Sequence, residues 1–149
     1  MKAARVKESV SQIARTIDAP VQEVFRAWTD ASLLERWLTD QAQIDPQVGG
    51  RFRFATESIP DKPGLHVTSG QFREIVPDHR LVMTWIYNGP NPEDLGESLV
   101  SVEFVATGSS TTELNFREEG QALETEEERA FSRDTWSRAF DALERALMK

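Results

Sequence analysis

The sequence predicts an α+β architecture, in which a run of antiparallel strands carries its helices on one side. Three observations lead there. Two short apolar stripes at helical spacing stand close together over residues 21–38. From Gln43 to Phe116 the pattern has period two, interrupted by glycine and proline clusters. A last helical stripe then runs from Trp136 to Leu147. Strands grouped in the chain, with helices before and after them, bury their apolar faces most simply as one sheet covered by helices.

Residues 9–17 form the first expected strand, with alternation too weak to say which face is buried. Asp18-Ala19-Pro20 opens a helix, because proline near the first helical position gives up an N–H that has no intrahelical partner. Val21, Val24, Phe25 and Trp28 follow at i, i+3, i+4 and i+7, and Thr29-Asp30 ends the stripe. The second helix sets Leu33, Leu34, Trp37 and Leu38 on one side. Its N-cap is Asp30 or Ser32, and Ser32 with Glu35 has capping-box spacing. Gly49-Gly50 marks a turn or bulge, after which Phe52 and Phe54 share one face while Arg51 and Arg53 take the other. Residues 59–64 read as a loop. A strand from Val67 to Val76 follows, with Gly70 as a bulge or a point of close approach.

Val76-Pro77-Asp78-His79 fits a type I turn with proline at its second position. Leu81, Met83, Trp85 and Tyr87 alternate along the strand from Arg80 to Tyr87. Residues 88–97 read as a long loop. Val100, Val102, Phe104 and Ala106 share a face of the strand Leu99 to Ala106. Gly108-Ser109-Ser110 makes a hairpin, and Leu114 and Phe116 lie inward on the next strand. Thr125 with Glu128 forms a capping box for a final helix of more than 20 residues, whose stripe is Trp136, Ala139, Phe140, Leu143 and Leu147. The expected order is one strand, two helices, five strands and a long helix, in one domain over residues 1–149.

Composition narrows the function. Of 149 residues, 39% are hydrophobic and 28% charged, which suits a globular chain with a core. The absence of cysteine removes disulfides, thiolate metal sites and thiol nucleophiles. Net charge is −8, and residues 1–75 hold 10 basic and 10 acidic side chains against 7 and 15 in residues 76–149. An acidic chain without a basic stripe is poorly suited to nucleic acid or to anionic lipid. No apolar run approaches a membrane span, and MKAARVKESV has no apolar leader region. A cytoplasmic location is expected.

The segments RTIDAPVQEVFRAWTDASLLERWL (15–38), VGGRFRF (48–54), G-x-F-x-E-I-x-P (70–77), RLVMTW (80–85), SVEF (101–104) and TELNFREEG (112–120) stand in this order, with Trp136 before DALERAL. Together they resemble the START/Bet v 1-like superfamily called SRPBCC, and within it the branch similar to the C-terminal domain of the activator of Hsp90 ATPase. The resemblance extends from about Val10 to Leu147. It implies a helix-grip fold: a curved antiparallel sheet wrapped around a long C-terminal helix, with two short helices closing one end. It also implies a hydrophobic cavity between sheet and helix in many members, which bind lipids, hormones or polyketides or act on them.

Phe52, Phe54, Phe72, Met83, Trp85, Tyr87, Phe104, Phe116, Trp136 and Phe140 can all face one interior. They are the candidate ligand-binding residues, with ordinary core packing as the alternative. The expected partner is a small hydrophobic molecule, with no cofactor and no metal. A protein partner similar to that of the Hsp90 activator is the second reading, and a cyclase or hydrolase in the same cavity the third. Catalysis would need an acid–base pair inside the cavity. Arg53, Glu74, Glu103 and Asn115 lie on strands, but alternation directs Arg53, Glu103 and Asn115 away from the apolar face. His66 and His79 read as two surface histidines. The acid run of residues 118–128 reads as a solvated helix start, Glu126, Glu127 and Glu128 lying where the helix dipole favours anions. No nucleotide-binding loop or nucleophile elbow is present. Monomer and homodimer both remain open.

Overall fold

The computed structural model describes residues 9–57 and 59–148. The leader-region reading of residues 1–8 lies outside the described residues. Seven antiparallel strands form one sheet: β1 (Val10–Ile17), β2 (Gln41–Ile44), β3 (Arg51–Thr56), β4 (His66–Val76), β5 (Arg80–Asn88), β6 (Leu95–Gly108) and β7 (Thr111–Glu119), in the spatial order β1-β7-β6-β5-β4-β3-β2. Three α-helices accompany it: α1 (Val21–Thr29), α2 (Ala31–Trp37) and α3 (Glu126–Leu147). A short 3-10 turn, Gln121–Leu123, leads into α3. This is the expected α+β helix-grip arrangement.

The strands after α2 number six rather than five, because Gly49-Gly50 ends one strand and starts another. Gly49 takes φ 85, a conformation that costs a residue with a Cβ, so the chain reverses there and β2 pairs with β3. The proline turn also differs from expectation. Asp78 has φ 66 and the His79 N–H donates to the Val76 carbonyl at 2.9 Å, the signature of a type II turn behind Pro77. Strand β6 begins four residues earlier than alternation suggested, at Leu95, so the loop after Tyr87 shrinks to residues 89–94.

Capping decides the helix starts. The Asp30 carboxylate accepts from the Leu33 N–H at 3.2 Å, so Asp30 is the N-cap of α2. The Ser32 hydroxyl and then the Leu33 N–H hold that carboxyl below the usual range. Glu35 does not close a box with Ser32; it accepts from the Ala42 N–H at 2.9 Å and so ties α2 to β2. On α3 both halves of the Thr125–Glu128 box form, each at 3.0 Å.

One core cluster collects the buried faces of all three helices and of the sheet, from Ile17 and Val24 through Phe52, Phe72 and Met83 to Phe140 and Leu143. Gly70 is the close-approach point, and the irregularity in β4 falls between Phe72 and Glu74 instead. Strand β1 stands where expected, and its buried face, which alternation did not reveal, carries Ser11 and Ile17 on the helix side. Arg15 on that side donates to the Ser137 carbonyl at 3.0 Å and pairs with Asp141 and Glu144, which fastens β1 to α3. Thr112 on β7 donates to the Ala19 carbonyl at 2.8 Å, fixing the entry to α1.

Candidate ligand site between the sheet and the long helix

Alternation sends Phe52 and Phe54 of β3, Phe72 of β4, Met83 and Trp85 of β5, Phe104 of β6 and Phe116 of β7 to the side of the sheet that α3 covers. The face is a chain of rings in contact. Trp136 of α3 stands 4.5 Å from Phe116, 5.2 Å from Trp85 and 5.7 Å from Phe140, centroid to centroid. Phe52 lies 4.8 Å from Phe54 and 5.7 Å from each of Phe72 and Trp85. Eight of the ten candidates are buried; Trp85 and Tyr87 are only half-buried. The rings also enclose Trp28, whose Nε1 is the buried side-chain donor without an acceptor among the described residues. An unmet donor costs about 1–3 kcal/mol.

Tyr87 leaves the apolar set. Its ring stacks on His66 with centroids 5.9 Å apart, and its hydroxyl lies 2.7 Å from His66 Nδ1. His66 is buried, not on the surface as expected; His79 is exposed. His66 Nε2 meets the Lys62 carbonyl at 2.7 Å. A carbonyl only accepts, so Nε2 carries the proton and Nδ1 accepts from Tyr87. Burial raises the Tyr87 hydroxyl above its ordinary value, which keeps it a donor.

Beside this pair, two loops are joined. Lys62 Nζ lies 2.7 Å from Asp94 Oδ1, and Gly64 packs against Pro90. The hydrogen bond to Asp94 raises the Lys62 ammonium, and the same bond lowers the Asp94 carboxyl. A lowered carboxyl stabilises fully above its unfolded value of 3.8 and ceases to as pH falls through the folded one. A raised lysine stabilises fully below its unfolded value of 10.5 and ceases to as pH rises through the folded one. The joint therefore holds between those limits. Asp94→Asn is expected to speed amide hydrogen exchange in residues 59–65 and 89–95 near neutral pH, with the global unfolding transition in place. Wild type should show the same loosening only below pH 3.8. Equal exchange in both proteins at neutral pH would mean that the ion pair does not hold these loops.

The expected solvated acid run breaks at its first member. Glu118 is 6% exposed and lies on the helix-facing side of β7, in phase with Leu114 and Phe116. It accepts from the Ser98 hydroxyl at 2.6 Å, the Ser132 hydroxyl at 2.8 Å and Trp136 Nε1 at 3.2 Å. Since the Ser132 proton goes to Glu118, Ser11 donates to Ser132 across 3.0 Å. A buried carboxyl demands such partners, and these link β1, β6 and β7 to α3. Glu126, Glu127 and Glu128 are exposed in the first turn of α3, as expected.

The remaining polar candidates stay outside. Arg53 is exposed, and Glu74 and Glu103 are ion-paired to Arg80. Glu103, Asn115 and Arg80 line a cleft of about 320 Å³ on the outer face of the sheet. A second cleft, about 210 Å³, lies among Leu33, Leu147 and the arginines Arg26 and Arg36. Among the described residues, no three His, Asp or Glu side chains converge as metal ligands. No described helix is long and apolar enough to cross a membrane.

A family model described as activator of Hsp90 ATPase homolog 1-like protein matches residues 18–148. No curated protein matches the chain. Solved structures do. Protein Mll3558 of Rhizobium loti is 26% identical with a TM-score of 0.75, over 93% of this chain and 96% of that one. CalU16 of Micromonospora echinospora is 25% identical with a TM-score of 0.68, over 91% of this chain and 74% of that one. DynU16, from the dynemicin biosynthetic locus, shares the fold at 21% identity and a TM-score of 0.74 over 93% of this chain. This chain spans about half of DynU16, at 47% of its length.

Proposed function

We propose, from the premise that this chain belongs to the family of activator of Hsp90 ATPase homolog 1-like proteins, that it binds a small apolar molecule between the sheet and α3. The fold is of a ligand-binding type, and the reading rests on Trp85. That indole is half-buried at the edge of the ring cluster, touching Phe52, Phe54 and Trp136. A large aromatic left partly in water beside an apolar interior is a natural entry contact for a hydrophobic ligand. The segments near it carry exposed apolar side chains: Leu65 starts the approach to β4 at 44% exposure and Leu95 opens β6 at 59%. Loops of this kind open at low cost. The protein-partner reading has the family's description behind it.

The test uses neutral probes. N-phenyl-1-naphthylamine and 1-decanol are titrated while tryptophan emission is followed, with Trp85→Phe as the control for Trp28, Trp37 and Trp136. Saturable binding of both probes, with an emission change that Trp85→Phe removes, is the expected result. No saturation below about 100 μM, or an identical response in Trp85→Phe, would end the ligand-binding reading.

A further inference from the structure

Glu118 has a placement that packing does not explain. Its carboxyl is 6% exposed, and the three groups that reach it, Ser98, Ser132 and Trp136, are all neutral donors. Among the described residues no cation pairs with it. Arg129, at the start of α3, instead gives its guanidinium to the carbonyls of Leu123 and Glu124 and to Glu126. Buried carboxylates in proteins are ordinarily matched by a cation or a metal. Each carboxyl oxygen accepts two hydrogen bonds. Oε1 uses both positions, on Ser132 and Trp136, while Oε2 uses one, on Ser98. One acceptor position on Oε2 is therefore open.

The surroundings favour positive charge in a second way. Trp136, which donates to Glu118, is in ring contact with Trp85 and Phe116. Ser98, the donor to Oε2, is the cross-strand partner of Trp85. Glu118 thus sits by the half-buried indole proposed above as the entry contact. Aromatic faces beside a carboxyl attract an alkylammonium group, the rings through their electron-rich faces and the carboxyl as hydrogen-bond acceptor.

We propose that the ligand of this site is a lipophilic amine, its ammonium group on Glu118 Oε2 and its hydrocarbon part among Trp85, Phe52 and Phe54. This rests on the reading that an apolar molecule enters between the sheet and α3, and it names the class of that molecule. The chain's net charge of −8 helps draw such a cation in from solution.

The experiment compares decylammonium, 1-decanol and decanoate by isothermal titration on the wild-type protein, Glu118→Gln and Glu127→Gln. Glu127 is exposed at the start of α3, so its loss changes net charge without touching the site. Wild type should bind decylammonium about tenfold more tightly than decanol, and decanoate most weakly. Glu118→Gln should bring the amine to within about twofold of decanol, and Glu127→Gln should keep the tenfold preference. A second readout needs no variant: decylammonium, but not decanol, should shift the Trp136 indole N–H resonance in wild type, since that proton lies on Glu118. Equal affinities for amine and decanol in wild type overturn the amine assignment alone. So does a preference that survives Glu118→Gln, or an unmoved Trp136 resonance if that variant does not fold. Binding of none of the three ligands overturns both the assignment and the apolar-ligand reading beneath it.

Discussion

Trp136→Ala is expected to lower the free energy of unfolding by about 3–5 kcal/mol, the cost of truncating a large buried aromatic. Three losses combine. The indole is 6% exposed, so most of its surface returns to water when the chain unfolds. Its removal breaks ring contacts to Trp28, Trp85, Phe116 and Phe140 at once, with centroids between 4.5 and 6.0 Å away. It also withdraws one of three donors from Glu118. A domain of this size has roughly 5–15 kcal/mol in total, so the variant should stand near the limit of folding. A urea titration followed by far-UV circular dichroism measures the shift. Trp136→Phe separates the terms, since it keeps most of the packing and loses the donor, and should fall between the two. A midpoint for Trp136→Ala equal to that of wild type would place the indole outside the core.

Gly70→Ala is expected to cost about 3 kcal/mol, at or beyond the upper end usual for overpacking. Gly70 lies on β4 opposite Phe52 of β3. A Cβ there would overlap the Thr84 carbonyl and lie 2.9 Å from Phe52 Cζ. Thr84 belongs to β5, paired to Leu99 of β6 on one side and held on the other by the Gln71 N–H, which donates to its hydroxyl at 2.8 Å, so its carbonyl has little room to retreat. Ala in a strand otherwise improves on Gly by reducing unfolded-chain entropy, which makes the sign of the effect diagnostic. Thermal unfolding of Gly70→Ala at or above the wild-type midpoint would show that β4 and β5 can separate enough to admit a methyl group.

Much of this fold could be read from period alone. Alternation at Phe52 and Phe54, at Met83 and Trp85 and at Leu114 and Phe116 assigned the covered face, because one buried side forces a repeat of two. The helix-spaced stripe of α3 and its Thr125–Glu128 box were legible for the same kind of reason: both are local. What escaped depends on partners distant in sequence. Nothing near His66 announces that Tyr87 and the Lys62 carbonyl will enclose it. Glu118 was hidden by its neighbours, since a glutamate followed by ten residues of which five are glutamate looks solvated. The signal was present, however: Glu118 is in phase with Leu114 and Phe116, and phase outranks composition within a strand. The 14-residue length of β6 was obscured at Gly96 and Glu97, which read as loop residues but pair with Tyr87 and Ile86.

The placement of β1 has a consequence for how the chain reaches this state. Its single neighbour in the sheet is β7, with Ile13 opposite Phe116 and Ser11 opposite Glu118. Its other ties run to α3, from Ser11 to Ser132 and from Arg15 to Ser137 and Asp141. The sheet pairing and the side-chain hydrogen bonds of the first strand thus wait for residues 112–141. At a ribosomal pace of about 5–20 residues per second, β1 emerges roughly 5–20 s before its partner. During that interval Ile13 and Ile17 travel on an unpaired strand, while hairpins β4–β5 and β5–β6 can already form behind them. Closure of the sheet by β1 and α3 is then a late, long-range event, slow by its topology. Until β7 and α3 arrive, the apolar face of β1 has no partner to cover it.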